Sequence, residues 1–182
     1  MKKLLFITAL ISLALIFINC SKKDDTTTNN NNTDTTKTTT TTIAGTYNAT
    51  GSLTFKAAGV DYSIPVTIVG IQSYSLTINA INADINNYAN LIVSIISTNS
   101  VGVGTYTVAG YSSITFADHS GNIYQASSSQ AGSSFTINLT TLSSTSVQGT
   151  FTATAIQYLS GTGTVSITNG VINCTLTSKR SK

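Results

Sequence analysis

From Thr46 onward, apolar and small polar residues alternate, and no stretch keeps helical spacing for more than a few residues. Side chains in a strand change face at every step, whereas a helix returns to the same face after about 3.6 residues, so this period of two points to half-buried strands. Leu53 and Phe55 share one predicted inner face; Tyr62, Ile64, Val66 and Ile68 share another, and Tyr74, Leu76, Ile78 and Ala80 a third. Further along, Phe135, Ile137 and Leu139 fall together, as do Phe151, Ala153 and Ala155. Leu91 to Ile96 is apolar on nearly both faces and is expected to be a central strand. Pro65 has no N–H to donate, which places its strand at an edge or beside a bulge.

Turn residues punctuate these runs at Ala58-Gly59, Asp118 to Asn122, Ser160-Gly161 and Asn169-Gly170. Asn-Gly between alternating runs favours a two-residue hairpin, because both residues tolerate positive φ. That loop would pair Ile167 with Ile172 and Val165 with Cys174, all on one face. Many short strands at this spacing predict an all-β fold, an antiparallel β-sandwich of roughly eight to ten strands spanning residues 43–178.

Charge is scarce. Between Ile43 and Ser178 the only formal charges are Lys56, Asp61, Asp84 and Asp118, and the chain contains no Glu. A nucleic-acid partner needs clustered Lys and Arg against its phosphates, so this class is set aside. Residues 179–182, with Lys179, Arg180 and Lys182, read as a small solvated basic end. Of the two cysteines, Cys174 falls at period two between Ile172 and Leu176 and is expected to be a small buried hydrophobe.

The N-terminal region follows other rules. Met1-Lys2-Lys3 is followed by a mostly apolar run from Leu4 to Ile18, ending at Asn19-Cys20. A charged start, an apolar stretch and a processing point describe an export signal over residues 1–19, and a spanning helix wants about 20 apolar residues. With Ser21, Lys22, Lys23, Asp24 and Asp25 directly after Cys20, the segment resembles the lipoproteins of the Bacteroidota, and it departs from the general lipoprotein pattern in having Phe17 and Asn19 where Leu and a small residue are usual. The resemblance implies a diacylglycerol and an N-acyl group on Cys20, and export to the outer membrane with the chain facing the cell exterior. Residues 20–42 continue as a Thr/Asn-rich tether with nothing apolar to bury beyond Cys20. As flexible coil it would reach about 25 Å and hold the domain just clear of the membrane. Asp25-Thr26-Thr27 and Asp34-Thr35-Thr36 resemble acceptor sites for O-glycosylation in the same phylum, which implies modification at Thr26 and Thr35.

The pieces Phe55-x-Ala57, Gly104-Thr105-Tyr106, Gly149-Thr150-Phe151 and Val165-Ser166-Ile167-Thr168-Asn169-Gly170 resemble, in order, a β-sandwich family of Bacteroidota lipoproteins without an established activity. Tyr62 stands where that family would have Trp. The resemblance implies a fold and no mechanism.

Candidate chemistry is thin. A glycosidase needs two carboxyl groups across a sugar bond, yet Asp61, Asp84 and Asp118 each fall at or near a turn, where Asp ordinarily binds its own backbone. His119 is the single histidine, so a multi-histidine zinc site is excluded. It could join Asp118 and a serine in a small hydrolase, although adjacent side chains usually point apart. Calcium would draw on Asp118, Ser120 and Asn122, or on Asp84, Asn86 and Asn87. Tyr47, Tyr88, Tyr106, Tyr111, Tyr124 and Tyr158 are candidate glycan platforms, against the plainer reading of half-buried packing. Thr150, Thr152 and Thr154 form a polar row read as the solvent face of a strand. The expectation is a non-catalytic, cofactor-free surface module that meets a glycan or an envelope protein. The alternatives are a hydrolase built on His119 and a calcium- or glycan-binding module.

Overall fold

A computed structural model describes residues 43–180 apart from 85, 86, 109, 160 and 161. The expectations at Cys20, Ser21 to Asp25, Thr26 and Thr35, at Asn86 and at the Ser160-Gly161 turn therefore lie outside the described residues. The domain is all-β, antiparallel and sandwich-like. Its ten strands are β1 Gly45–Ala57, β2 Val60–Gln72, β3 Ser75–Asn82, β4 Ala89–Ile96, β5 Gly104–Thr107, β6 Ser113–Ala117, β7 Ile123–Ser127, β8 Ser134–Leu142, β9 Ser146–Gln157 and β10 Thr164–Lys179.

Both walls belong to one sheet. The order is β10-β1-β2-β3-β4-β6-β7-β9-β8-β5, and β9 also pairs with β10. Eight strands thus close into a ring, from which β8 and β5 extend. One edge of β9 serves two neighbours: β8 along Val147 to Thr154, and β7 at Ile156 and Gln157. Across the interior, Phe55 of β1 reaches Phe116 of β6 with ring centroids 5.3 Å apart and Phe151 of β9 at 5.9 Å.

The antiparallel registers define two ends. At one lie Gly45 opposite Ile71, Lys179 opposite Tyr47, and Ile96 opposite Ser75. At the other, Ala57 faces Val60, Asn82 faces Ala89, Ala117 faces Ile123, and Thr164 faces Ile156.

The alternation is real, but bulges shift its phase. On β2, Ile64 and Val66 point inward as expected. The register with β3 then slips between Val66 and Ile68, so Val69 and Ile71 take over the inner face and Ile68 turns half outward. Pro65 is paired with Ser52 directly after an interruption between Asn48 and Ser52, a place for a residue without an N–H. Within that interruption Gly51 has φ +105, and a Cβ there would run into the Asn173 carbonyl. On the interior strand β4, Leu91, Val93 and Ile95 are fully buried, whereas Ile96 is exposed.

Asn169-Gly170 is a correction. No hairpin forms there: β10 runs straight through, pairing with β9 on one side and β1 on the other. Between Ile167 and Gly170 it carries two residues against one on β9, and between Thr168 and Val171 two against one on β1. This is a bulge centred on Asn169, whose φ is +54. The tolerance for left-handed backbone that makes Asn-Gly a hairpin turn also lets it insert an extra residue in a strand. The extra residue keeps Val165, Ile167, Ile172 and Cys174 all buried despite their odd spacing.

Lys179 also departs from expectation, since β10 includes it, and the Arg180 amide donates to the Thr46 carbonyl at 2.7 Å. Cys174 is 1% exposed, and burial pushes its thiol from 9.0 up to about 12. The folded state therefore favours the neutral thiol, while an unfolded chain starts to ionise near 9. Stability present below pH 9 is lost as pH rises towards 12, at about 1.4 kcal/mol per pH unit. Urea titrations across that range should show the slope in the parent and a shallower one in Cys174→Ala. In the native protein Cys174 should resist iodoacetamide at neutral pH and react only on unfolding.

Candidate functional site

The richest grouping of polar and aromatic side chains lies at the end holding Asp118 and His119. There a small cleft of about 50 Å³ is lined by Asp61, Tyr62, Ser63, Asn82, Asn87 and His119. Its centre is Tyr62, which the Ala58-Gly59 hairpin sets opposite Phe55. The Tyr62 ring stacks on Phe55 at 5.0 Å and meets Phe116 and His119 edge-on at 5.0 Å and 4.9 Å. Tyr124 joins behind, 6.2 Å from Phe116. Burial first, then the charge of Asp118 and the neighbouring Tyr124, pushes the Tyr62 phenol above its ordinary value. Burial and Asp118 push Tyr124 the same way. Both phenols therefore stay protonated to higher pH than an ordinary tyrosine.

Asp118 is the hub of its turn. One carboxylate oxygen accepts from the amides of Ser120 at 2.8 Å and Asn122 at 2.9 Å, and the other from the Asn122 side-chain amide at 3.0 Å. Gly121, at φ +80, closes the loop by donating to the Asp118 carbonyl. Of the oxygens that the calcium reading assigns to a cation, the turn thus engages those of the Asp118 carboxylate, while the Asn122 side-chain oxygen accepts from the Gln157 side-chain amide at 3.4 Å. His119 packs on the Tyr62 ring, which the charge of Asp118 also reaches. Asp61 forms an exposed ion pair with Lys56 at 3.6 Å, worth little in water. The Asp84 carbonyl accepts from Asn87, and the Asp84 amide donates to the Asn82 side chain at 3.1 Å. Among the described residues no three of His, Cys, Asp or Glu gather where they could hold a metal ion.

The tyrosines divide by burial. Tyr47 is buried and its hydroxyl donates to the Ile43 carbonyl at 2.7 Å. Half-buried Tyr106 donates to the Gly102 carbonyl at 2.8 Å and accepts from its amide at 3.0 Å. Tyr88 and Tyr124 are half-buried, whereas Tyr111 and Tyr158 are exposed. Tyr74, expected on an inner face with Leu76, instead sits in the β2–β3 turn and is 60% exposed. Alternation alone does not mark Tyr62 as a centre; the two-residue loop at Ala58-Gly59 does, because it places Phe55 and Tyr62 directly opposite each other.

The Thr row belongs to a wider polar surface. Ser134 and Thr136 of β8, Thr152 and Thr154 of β9, and Ser166 and Thr168 of β10 line a shallow groove of about 180 Å³. The register puts Ser134, Thr154 and Ser166 side by side, with Thr136 and Thr152 in the next row. Comparison of the chain with models of protein families, with curated proteins and with solved structures finds no match.

Proposed function

We propose that the chain is a lipid-anchored outer-membrane protein facing the cell exterior, and that its β domain is a non-catalytic binding or structural module. The observation that carries the anchor is the run from Met1 to Asp25, with Cys20 at the boundary between an apolar stretch and Ser21-Lys22-Lys23-Asp24-Asp25. Two acyl attachments on one cysteine meet the demand that stable anchoring makes for more than one chain. The non-catalytic reading is supported by what the polar groups do. Asp118 organises a turn, Asp61 pairs with Lys56 in solvent, and His119 packs on Tyr62. The binding reading is supported by the neutral hydroxyl groove on β8, β9 and β10, whose donors and acceptors suit a glycan or a polar envelope protein.

Mass spectrometry of the protein from producing cells tests the anchor. The expected species begins at Cys20 and carries diacylglycerol and N-acyl groups, while Cys20→Ala leaves the membrane fraction. An unmodified Cys20 sinks the anchor. Protease added to intact cells should digest the β domain, and complete protection would place it inside the envelope instead.

A further inference from the structure

Among the described residues the carboxylates gather at one end of the β domain, Lys179 and Arg180 stand at the other, and exposed apolar side chains occur at both. Where β1 begins and β10 finishes, Tyr74, Ile96, Val103 and Tyr111 are all exposed, Val103 at 65% and Tyr111 at 84%. Backbone hydrogen bonds tie their loops together. The Tyr74 carbonyl accepts from the Ser97 amide at 3.0 Å, and the Ser73 carbonyl from the Val101 amide at 2.9 Å. The Ser112 hydroxyl accepts from the Ile96 amide and donates to its carbonyl, which brings the residue beside Tyr111 against Ile96. Lys179 and Arg180 stand at the same end, next to Tyr47 and Thr46 at the start of β1.

The opposite end also exposes apolar groups, namely Val60, Tyr158 and Leu159. Apolar exposure alone does not distinguish the two ends; charge does. Asp61, Asp84 and Asp118, the carboxylate side chains of the described residues, all lie at that opposite end, with Lys56 already paired to Asp61. Tyrosine suits the boundary between headgroups and acyl chains, because its ring is apolar and its hydroxyl polar. Lysine and arginine are drawn to anionic headgroups and carboxylates are repelled. Only one end combines both attractions.

We propose that the end formed by Tyr74, Ile96, Val103, Tyr111, Lys179 and Arg180 seats on an anionic lipid surface, that of the membrane holding Cys20. This rests on the lipid-anchor reading and goes further, since it names the face of the domain that meets the membrane. The chain also enters the domain at this end, through Ile43 and Gly45, so seating leaves the hydroxyl groove and the tip bearing His119 available to a partner.

The chain has no Trp, so Tyr111→Trp and Tyr158→Trp each create a single reporter at opposite ends. The acylated full-length protein is reconstituted in phosphatidylcholine vesicles with and without phosphatidylglycerol, each carrying a nitroxide-labelled lipid as quencher. With phosphatidylglycerol present, Tyr111→Trp is expected to lose most of its emission and shift to shorter wavelength, while Tyr158→Trp keeps its emission. Adding Lys179→Glu and Arg180→Glu should reduce that quenching severalfold, as should raised salt. An acylated chain whose Tyr111→Trp emission is quenched no more than that of Tyr158→Trp overturns the inference and leaves the anchor standing. A chain lacking acyl groups overturns the anchor and the inference together.

Discussion

Replacing Gly170 with alanine is expected to lower the unfolding free energy of the β domain by about 3 kcal/mol, the upper part of the range for overpacking a closed interior. Gly170 faces inward behind the Asn169 bulge, and an added Cβ would meet the Phe151 carbonyl and lie 2.6 Å from Cγ of its ring. Gly170 and Phe151 are paired residues on adjacent strands, so neither backbone can retreat without disturbing the β9–β10 ladder. A solvent-exposed hairpin turn at Asn169-Gly170 would respond differently. There Ala would suffer only its intrinsic strain at positive φ, about 1 kcal/mol. Urea denaturation therefore separates the two geometries. Asn169→Gly serves as the control, since glycine readily adopts the left-handed backbone and the side chain of Asn169 points into solvent. A loss under about 1 kcal/mol for Gly170→Ala would contradict the bulge.

That contrast shows what local chemistry reveals and what it leaves open. Alternation identifies the inner faces of Leu53 and Phe55, of Phe135, Ile137 and Leu139, and of Phe151, Ala153 and Ala155, whose own period of two is kept even where the extra residue at Asn169 lies opposite on β10. It fails at register slips, because a bulge exchanges faces while leaving the hydrophobic character of the residues unchanged. In Ile64-Pro65-Val66-Thr67-Ile68-Val69 both Ile68 and Val69 are apolar, so nothing in the sequence decides which one turns inward. Tyr74 reads as inward for a related reason: its parity matches Leu76, but β3 begins only at the residue after it. Ring closure by β9 and β10 depends on partners far apart in sequence and has no local signature.

The candidate site was legible only in its turn. Asp118-His119-Ser120-Gly121-Asn122 announces an Asp-led loop, and the carboxylate does bind the backbone beyond it. The meeting of His119 with Tyr62 is a long-range event set by the pairing of β6 with β7 and the folding of the walls onto each other. The charge polarity of the domain lies between these cases. Asp61, Asp84 and Asp118 are visible in the sequence as lying at or near turns, but only the strand order shows that these turns share one end.

Phe116→Ala is expected to have the largest effect of any single truncation near the site, about 4 kcal/mol. The side chain is 1% exposed and stands between the walls, edge-on to Phe55 at 5.3 Å and to Tyr62 at 5.0 Å. Its loss leaves a void bounded by β1, β2 and β7, strands held in a closed ring that cannot readily collapse to fill it. Each edge-to-face ring pair adds about 1 kcal/mol beyond the buried area. Domains of this size commonly have only about 5–15 kcal/mol in total, so the variant should remain folded but with a sharply lowered urea midpoint. Tyr111→Ala, removing an equally large ring at 84% exposure, should stay within about 0.5 kcal/mol of the parent. The substitution also reports on the site. Burial is the first cause of the raised Tyr62 titration, so admitting water beside its ring should bring that phenol down towards its ordinary value. Ultraviolet titration of the folded variant measures this. A destabilisation near 4 kcal/mol with unchanged phenol titration would mean that Phe116 supports the core without shaping the cleft; a loss below about 1 kcal/mol would mean that the aromatic cluster does not bridge the two walls.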